Sequence, residues 1–590
     1  MSCAPSMSAS PAVHKAVVNA MPLLRRAPFR GLSCFCALFF LLLASIASAA
    51  ERPGAAAIAS AHPLATEVGH EILAAGGNAF DAAVAVSAAL AVVEPYSSGM
   101  GGGGFWLLHR AEDGFETMLD GRERAPLAAH RDLYLDEEGE VVPGLSIDGP
   151  LAAGIPGQPA ALAHLAENYG RLPLSQSLAP AIRLAKAGFP VDEHYRRMAQ
   201  WRLKALNASP VAAKQFLDGG DVPPLGRVIR QPQLAETLQI LGAKGWSGFY
   251  EGTVAQKLVD GVRAAGGIWT LDDLSQYQAV EREPVRGRYR GMKITSAAPP
   301  SSGGVVLVTM LNILAQFDLD AYKPATQKHL IIEAMRRAYR DRAKYLGDPD
   351  IVDMPVDRLT HPFYAAGLAR DIDLNNATPS LAPKPQADTA EGRDTTHFSI
   401  LDSEGNRVAA TLSINYPFGS GFVPPGTGVL LNDEMDDFSA RPGEPNVYGL
   451  IGGEANAIAP GKRMLSSMTP SFVETAEGIA ILGTPGGSRI ITMVLLAILE
   501  MEQGHGPEAW VRQPRLHHQF LPDEVQYESG ALSGAEQGAL VQMGHSLKPL
   551  ERRYGNMQGI FWEQQSGAVF ASSDPRGIGS AAVRPVAANK

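Results

Sequence analysis

Cysteine is almost missing from this chain of 590 residues: there are three, Cys3, Cys34 and Cys36, all near the start. From residue 50 onward there is no disulfide, no thiol nucleophile and no thiolate metal site, so that part must be held by its core alone. Basic charge is in deficit too, with 51 Lys and Arg against 61 Asp and Glu and a net charge of −10. That balance argues against nucleic acid or an anionic membrane surface as a partner. No long low-complexity tract divides the chain, which reads as one structural unit rather than tethered domains.

The first 49 residues differ in kind. Lys15, Arg25, Arg26 and Arg30 are their only charges, an apolar run from Leu32 to Ile46 follows, and Ala47-Ser48-Ala49-Ala50 supplies small residues for cleavage. These are the parts of a secretory signal peptide, and the run is short for a bilayer span. Met21 offers an alternative start that leaves an n-region of ordinary length. The expected destination is the periplasm or the medium. Removal of four basic residues and no acidic ones takes the charge from −10 to −14.

Beyond the leader, the pattern predicts a helix from Leu64 to Ala75 and a second one capped by Asn78 and running to Val93. The run Gly99-Met100-Gly101-Gly102-Gly103-Gly104 contains G-x-G-x-x-G, but a helix precedes it and the strand-like Phe105-Trp106-Leu107-Leu108 follows. A dinucleotide site needs the reverse order. Amphipathic helices are predicted at 160–169, 234–242 and 328–345, and the turn at 299–304 opens another at Val305. On the helix at 328–345, Arg336, Arg337, Arg340, Asp341 and Arg342 read as a solvated charged face. From Asp371 to Asp394 the apolar periodicity stops, and the segment reads as a loop where the chain can be opened.

Two strands follow, 395–401 and 407–415, joined by Asp402-Ser403-Glu404-Gly405-Asn406. A five-residue loop pairs Leu401 with Arg407 and sets Thr395 opposite Ser413, with Thr411 and Asn415 on the same face. Two readings are open. The pair can be a hairpin with one wet face, or it can position a nucleophile. If the chain is cut before Thr395, that residue carries both a hydroxyl and a free amine whose reference pKa, about 7.7 to 8, suits it as a base near neutrality.

Four stretches, Thr395-Thr396-His397-Phe398-Ser399, Leu431 to Phe438, Leu465-Ser466-Ser467-Met468-Thr469-Pro470 and Gly483-Thr484-Pro485-Gly486-Gly487-Ser488-Arg489, resemble the γ-glutamyltransferase (γ-glutamyltranspeptidase) family of N-terminal nucleophile hydrolases. Supporting matches at 99–104, 299–304, 514–518 and 573–576 extend the resemblance over nearly the whole chain after the leader. It implies an α+β fold, a four-layer αββα sandwich formed jointly by two subunits cut from one precursor. The large subunit would span 50–394 and the small one 395–590, with the cut between Asp394 and Thr395. It implies hydrolysis or transfer of the γ-glutamyl group of glutathione and related compounds, to water or to an amino acid or peptide amine. Neither cofactor nor metal is implied.

The resemblance also implies roles. Thr395 is the nucleophile, Ser413 its hydrogen-bond partner, and Gly486 and Gly487 supply oxyanion N–H groups. Arg122, helped by Ser466, takes the α-carboxylate; Asn415, Glu434 and Asp437 hold the α-ammonium; Ser467 orders the pocket floor; Tyr448, in a lid loop at 441–449, covers it. Taken alone, Arg122 reads as a surface ion-pair residue, 433–437 as a solvated acidic turn without EF-hand spacing, and His517-His518 as structural. A glutaryl or cephalosporin-type acylase and an unprocessed binding protein remain as alternatives.

Overall fold

The two strands that begin at Thr395 lie in the middle of a seven-stranded sheet. The computed structural model describes residues 52–380, 395–444, 446 and 449–585. The leader, Asp394 and Tyr448 therefore lie outside the described residues. Strands Thr395–Leu401 (β1) and Arg407–Ser413 (β2) pair antiparallel with Leu401 against Arg407 and Thr395 against Ser413, the register expected from loop length. Across the sheet the order is Ser580–Pro585, Ala55–Ser60, β1, β2, Gly103–Arg110, Phe115–Gly121 and Val280–Arg282.

A six-stranded sheet faces it, ordered Val569–Ser573, Gln558–Glu563, Gly478–Gly483, Ser471–Glu474, Met292–Ser296 and Val285–Tyr289. Every residue of β1 and β2 is buried, which removes the reading of a hairpin with one wet face. The apolar side, with Phe398, Ile400, Val408, Ala410 and Leu412, packs into one core with the alanine-rich helix Ala79–Val93 (α1). Asn78 caps α1 in a reciprocal box with Asp81. The polar side faces the second sheet. There Ser399 Oγ donates to Gln558 O at 3.2 Å, and His397 lies so close to Gly483 that a Cβ on that glycine would sit 2.3 Å from its ring.

On the far side of the second sheet, helices Gly303–Leu314 (α2), Pro324–Tyr345 (α3) and Ile490–Glu502 (α4) close a second core. The layers are helix, sheet, sheet, helix, as expected. The glycine run at 99–104 serves close packing. A Cβ on Gly102 would lie 2.1 Å from Ser413 O, so only glycine lets this chain pass the end of β2.

The charged face of α3 is not solvated. Arg336, Arg337, Asp341 and Arg342 are buried and only Arg340 of the five is exposed. Glu333 accepts from Arg336 Nε at 3.1 Å, from Arg337 Nη1 and from Thr378 N at 3.2 Å, while His329 Nε2 bonds Asp373 O at 2.9 Å. The cluster thus clasps the segment 371–380. Periodicity failed here because α3 packs against the molecule on more than one side.

Candidate active site

Thr395 opens β1 at the edge of the polar layer between the sheets and is 7% exposed. Its Oγ1 lies 3.4 Å from Ser413 Oγ. Ser413 Oγ also accepts from Asn415 N at 2.7 Å and hydrogen-bonds the Glu434 carboxylate. Behind Thr395, His397 bonds Thr411 Oγ1 at 2.8 Å, and burial pushes its pKa down to about 3, so the imidazole is neutral and structural. Strand parity does not extend to Asn415 as expected. β2 ends at Ser413, and Asn415 turns off with φ +70°, a conformation asparagine tolerates better than most residues. Its Nδ2 donates to Asp433 O at 3.1 Å.

One cavity is lined by Arg122, Thr395, Ser413, Asn415, Glu434, Asp437, Ser466, Ser467 and Gly487. Arg122 follows the end of strand Phe115–Gly121, where Tyr277 Oη donates to its carbonyl at 2.6 Å. Its guanidinium is 1% exposed, donating to Glu434 Oε2 and Asp437 Oδ2, both at 2.5 Å, with Glu123 at 3.6 Å. The surface reading of Arg122 and the solvated reading of 433–437 are therefore both replaced: Glu434 is buried and Asp437 half-buried.

One buried cation faces three carboxyl groups. Burial and the charge of Glu434 push Glu123 well above the usual carboxylate range, against the pull of Arg122. Burial also pushes Glu434 up to about 7, against the pull of Arg122. Arg122 is thus outnumbered by the carboxyl groups around it, and the next buried guanidinium, Arg342, acts on Asp437 without a direct ion pair.

Ser466 and Ser467 are ordered from below. Ser302 Oγ donates to Ser466 O at 2.6 Å, Arg342 Nε donates to Ser302 Oγ at 2.9 Å, and Arg342 Nη2 reaches Ser467 Oγ at 3.2 Å. The turn at 299–304 and the end of α3 are therefore supports of the pocket floor. Gly486 (φ 142°) and Gly487 (φ 56°) form the turn into the 3₁₀ segment Gly487–Arg489 and α4, where the first N–H groups of a helix lack intrahelical partners. Gly487 lines the cavity and Gly486 precedes it. Thr395 lines a second cavity too, with Glu94, His194, Arg197 and Arg553.

The family model described as gamma-glutamyltranspeptidase matches residues 65–584. The chain belongs to the γ-glutamyltranspeptidase family. A glutathione hydrolase proenzyme of Pseudomonas sp. (strain A14) is 45% identical over 522 residues, covering 87% of this chain and 89% of its own. Another, from Escherichia coli (strain K12), is 40% identical over 527 residues, covering 88% and 90%. Among solved structures, a cephalosporin acylase from Bacillus halodurans superposes with TM-score 0.79 at 30% identity over 90% of this chain and 96% of that one.

Within this γ-glutamyltranspeptidase-family chain, the described residues contain one group with metal-compatible spacing, His329, Glu333 and His545. Its carboxylate already accepts from two guanidiniums, and His329 Nδ1 bonds His545 Nε2 at 2.8 Å, so it is a hydrogen-bonded clasp rather than an open coordination shell. His517 and His518 are fully buried and bonded to Thr492 and Asp523, in keeping with the structural reading. Sequence reasoning missed Glu123, Glu94 and Arg342. Glu123 directly follows Arg122, and that adjacency was its only signal; Arg342 carried none beyond its helix position.

Proposed function

We propose that the protein is an exported, self-processing γ-glutamyl hydrolase and transferase acting on glutathione and related γ-glutamyl compounds. The observation that carries this reading is the meeting of Thr395 with an arginine and a surplus of buried carboxyl groups in one cavity. A γ-glutamyl group ends in an α-carboxylate and an α-ammonium. Arg122 and Ser466 take the first; Asn415, Glu434 and Asp437 take the second. Substrate entry then splits the Arg122 ion pairs, with each partner exchanging its internal counter-charge for one from the substrate.

In processing, the Thr395 hydroxyl attacks the carbonyl carbon of Asp394. The C–N bond breaks as the ester C–O bond forms, and water hydrolyses the ester to leave the Asp394 carboxylate and a free Thr395 amine. In turnover that amine takes the hydroxyl proton as the oxygen attacks the γ-carbonyl, and gives it to the departing nitrogen. Gly486 and Gly487 N–H groups stabilise the oxyanion, Ser413 orients the nucleophile, and Ser467 holds the floor. Water or an acceptor amine resolves the acyl-enzyme. The products of processing are a large subunit of residues 50–394, after loss of the leader, and a small one of residues 395–590. The word proenzyme in the relatives' names supports such a cut.

Thr395→Ala should run as one uncleaved band on a denaturing gel and turn over no donor. Two chains split at 394 in that variant would mean a separate protease makes the cut. The acylase reading is tested by comparing γ-glutamyl and glutaryl 4-nitroanilides. The γ-glutamyl donor should lead by about 100-fold in kcat/KM, because a lost buried charge pair costs about 3 kcal/mol; equal rates would favour the acylase.

A further inference from the structure

The turn that carries the oxyanion N–H groups is made of the residues least able to aim themselves. Gly486 and Gly487 have φ of 142° and 56°, in the region that favours glycine, and without side chains nothing of their own anchors their peptide planes. Their direction must come from neighbours. Three bonds arrive at the two residues that follow: Tyr339 Oη on α3 donates to Ser488 O, Thr492 Oγ1 on α4 donates to Arg489 O at 3.0 Å, and Ser488 Oγ donates to Gln519 Oε1 at 2.7 Å.

The last of these bonds has a defined polarity. Gln519 Nε2 donates to Leu521 O at 3.2 Å, and a carbonyl only accepts, so the amide is held with Oε1 toward Ser488. The same Oε1 lies 2.9 Å from His517 Nε2, which must therefore carry a proton. Burial and the charge of Arg489 push the His517 pKa down to about 3, so the ring is neutral and its Nδ1 accepts from Thr492 Oγ1 at 2.9 Å. The Thr492 proton is thus shared between His517 Nδ1 and Arg489 O. The bonds close a ring through Ser488, Gln519, His517, Thr492 and Arg489 at the exit of the turn. All five residues are buried, and Ser488 lines the cavity that holds Thr395.

We propose that Gln519, oriented by His517, is a positioning residue for the oxyanion site: its hold on Ser488 fixes the direction in which the Gly486 and Gly487 N–H groups point. The inference rests on the γ-glutamyl acyl-transfer reading above and adds what aims those donors. As the Thr395 oxygen bonds the γ-carbonyl carbon, the C=O electron pair moves onto the carbonyl oxygen, and donors aimed there bind it more strongly than they bind the carbonyl. A turn that swings loses this gain but keeps ground-state binding, which Arg122, Glu434 and Asp437 supply. The stretch 514–518 thereby acquires a function, since it delivers His517 beside the turn.

The test measures two dissociation constants in each processed protein. One is for L-glutamate; the other is for a boronic acid that carries the same α-amino and α-carboxylate groups and adds to the Thr395 hydroxyl as a tetrahedral anion. Their ratio does not depend on how much of the protein is folded. Wild type should bind the boronate at least about 100-fold more tightly than glutamate. In Gln519→Leu the ratio should fall about tenfold, with kcat for γ-glutamyl-4-nitroanilide falling by a similar factor while KM holds. Gln519→Glu, which keeps an acceptor oxygen toward Ser488, should restore most of the loss. Thr492→Val removes one hydroxyl from the far side of the ring; it should shift the ratio in the same direction by less, and it serves if the leucine variant does not fold. Equal losses of both affinities, or an unchanged ratio in whichever of these two variants folds, overturn the positioning role. A wild type that binds the boronate no more tightly than glutamate defeats the acyl-transfer reading itself, and this inference with it.

Discussion

Two buried clusters of charge, one on α3 and one around Arg122, are built from the same residue types and balanced in opposite ways. On α3, Glu333 is matched by two guanidiniums and a backbone N–H. Burial would raise its pKa, but the Thr378 hydrogen bond, Arg336 and Arg337 outweigh it and hold the carboxyl below the usual range. Around Arg122 the ratio reverses: three carboxyl groups share one guanidinium, Glu123 has no hydrogen bond at all, and Glu434 is pushed up to about 7. A compensated buried cluster ties chain segments together. An uncompensated one stores an unmet demand for a cation, which an incoming ammonium can satisfy.

The sharpest way to break this contrast is to remove a charge from each cluster. Asp437→Asn should lower kcat/KM for γ-glutamyl-4-nitroanilide by about 100- to 1,000-fold, some 3–4 kcal/mol, while unfolding changes little. Arg336→Met should do the converse. It leaves the buried Glu333 half paired and should cost about 3–5 kcal/mol in urea unfolding, with turnover of the surviving folded enzyme near wild type. If the two variants behaved alike, the distinction would fall.

A pH profile tests the charge deficit at the site. Glu434 binds an ammonium only when ionised, so its raised pKa should make kcat/KM fall as pH drops below about 7, by up to tenfold per unit. The Thr395 amine contributes a limb of the same sign. A glutaryl donor separates them, because it lacks the ammonium and should keep only the amine limb. The smallest effect is expected for Glu123→Gln. Replacing a buried carboxyl whose pKa burial raises well above the usual range by an amide should change stability by no more than about 1 kcal/mol and lower kcat/KM less than Asp437→Asn does.

The α3 cluster also shows where reading the chain fails. Arg336, Arg337 and Arg342 recur on a helix as a solvated face would, and nothing local distinguishes a guanidinium in water from one clasping residues 371–380 or the floor at Ser467. Asn415 is a second case: alternation placed it on the polar face, yet it reaches the pocket through a left-handed turn after the strand has ended. The hairpin register, by contrast, was legible: a five-residue loop pairs Leu401 with Arg407, hence Thr395 with Ser413, although the second strand ends at Ser413 rather than at 415.

By itself the sequence determined what depends on neighbours along the chain: the helix caps, the β1–β2 register, the exclusion of a dinucleotide site by element order, and the motifs that identify the family. Only the tertiary structure decided how Arg122, from one strand end, and Glu434 and Asp437, some 310 residues later, share one cavity with too few cations. It alone showed that the polar face of β1 is buried and that Thr395 borders two cavities. The physical reason is that burial and counter-charge, which set ionisation and the readiness to bind, are supplied across the fold and have no period in the sequence.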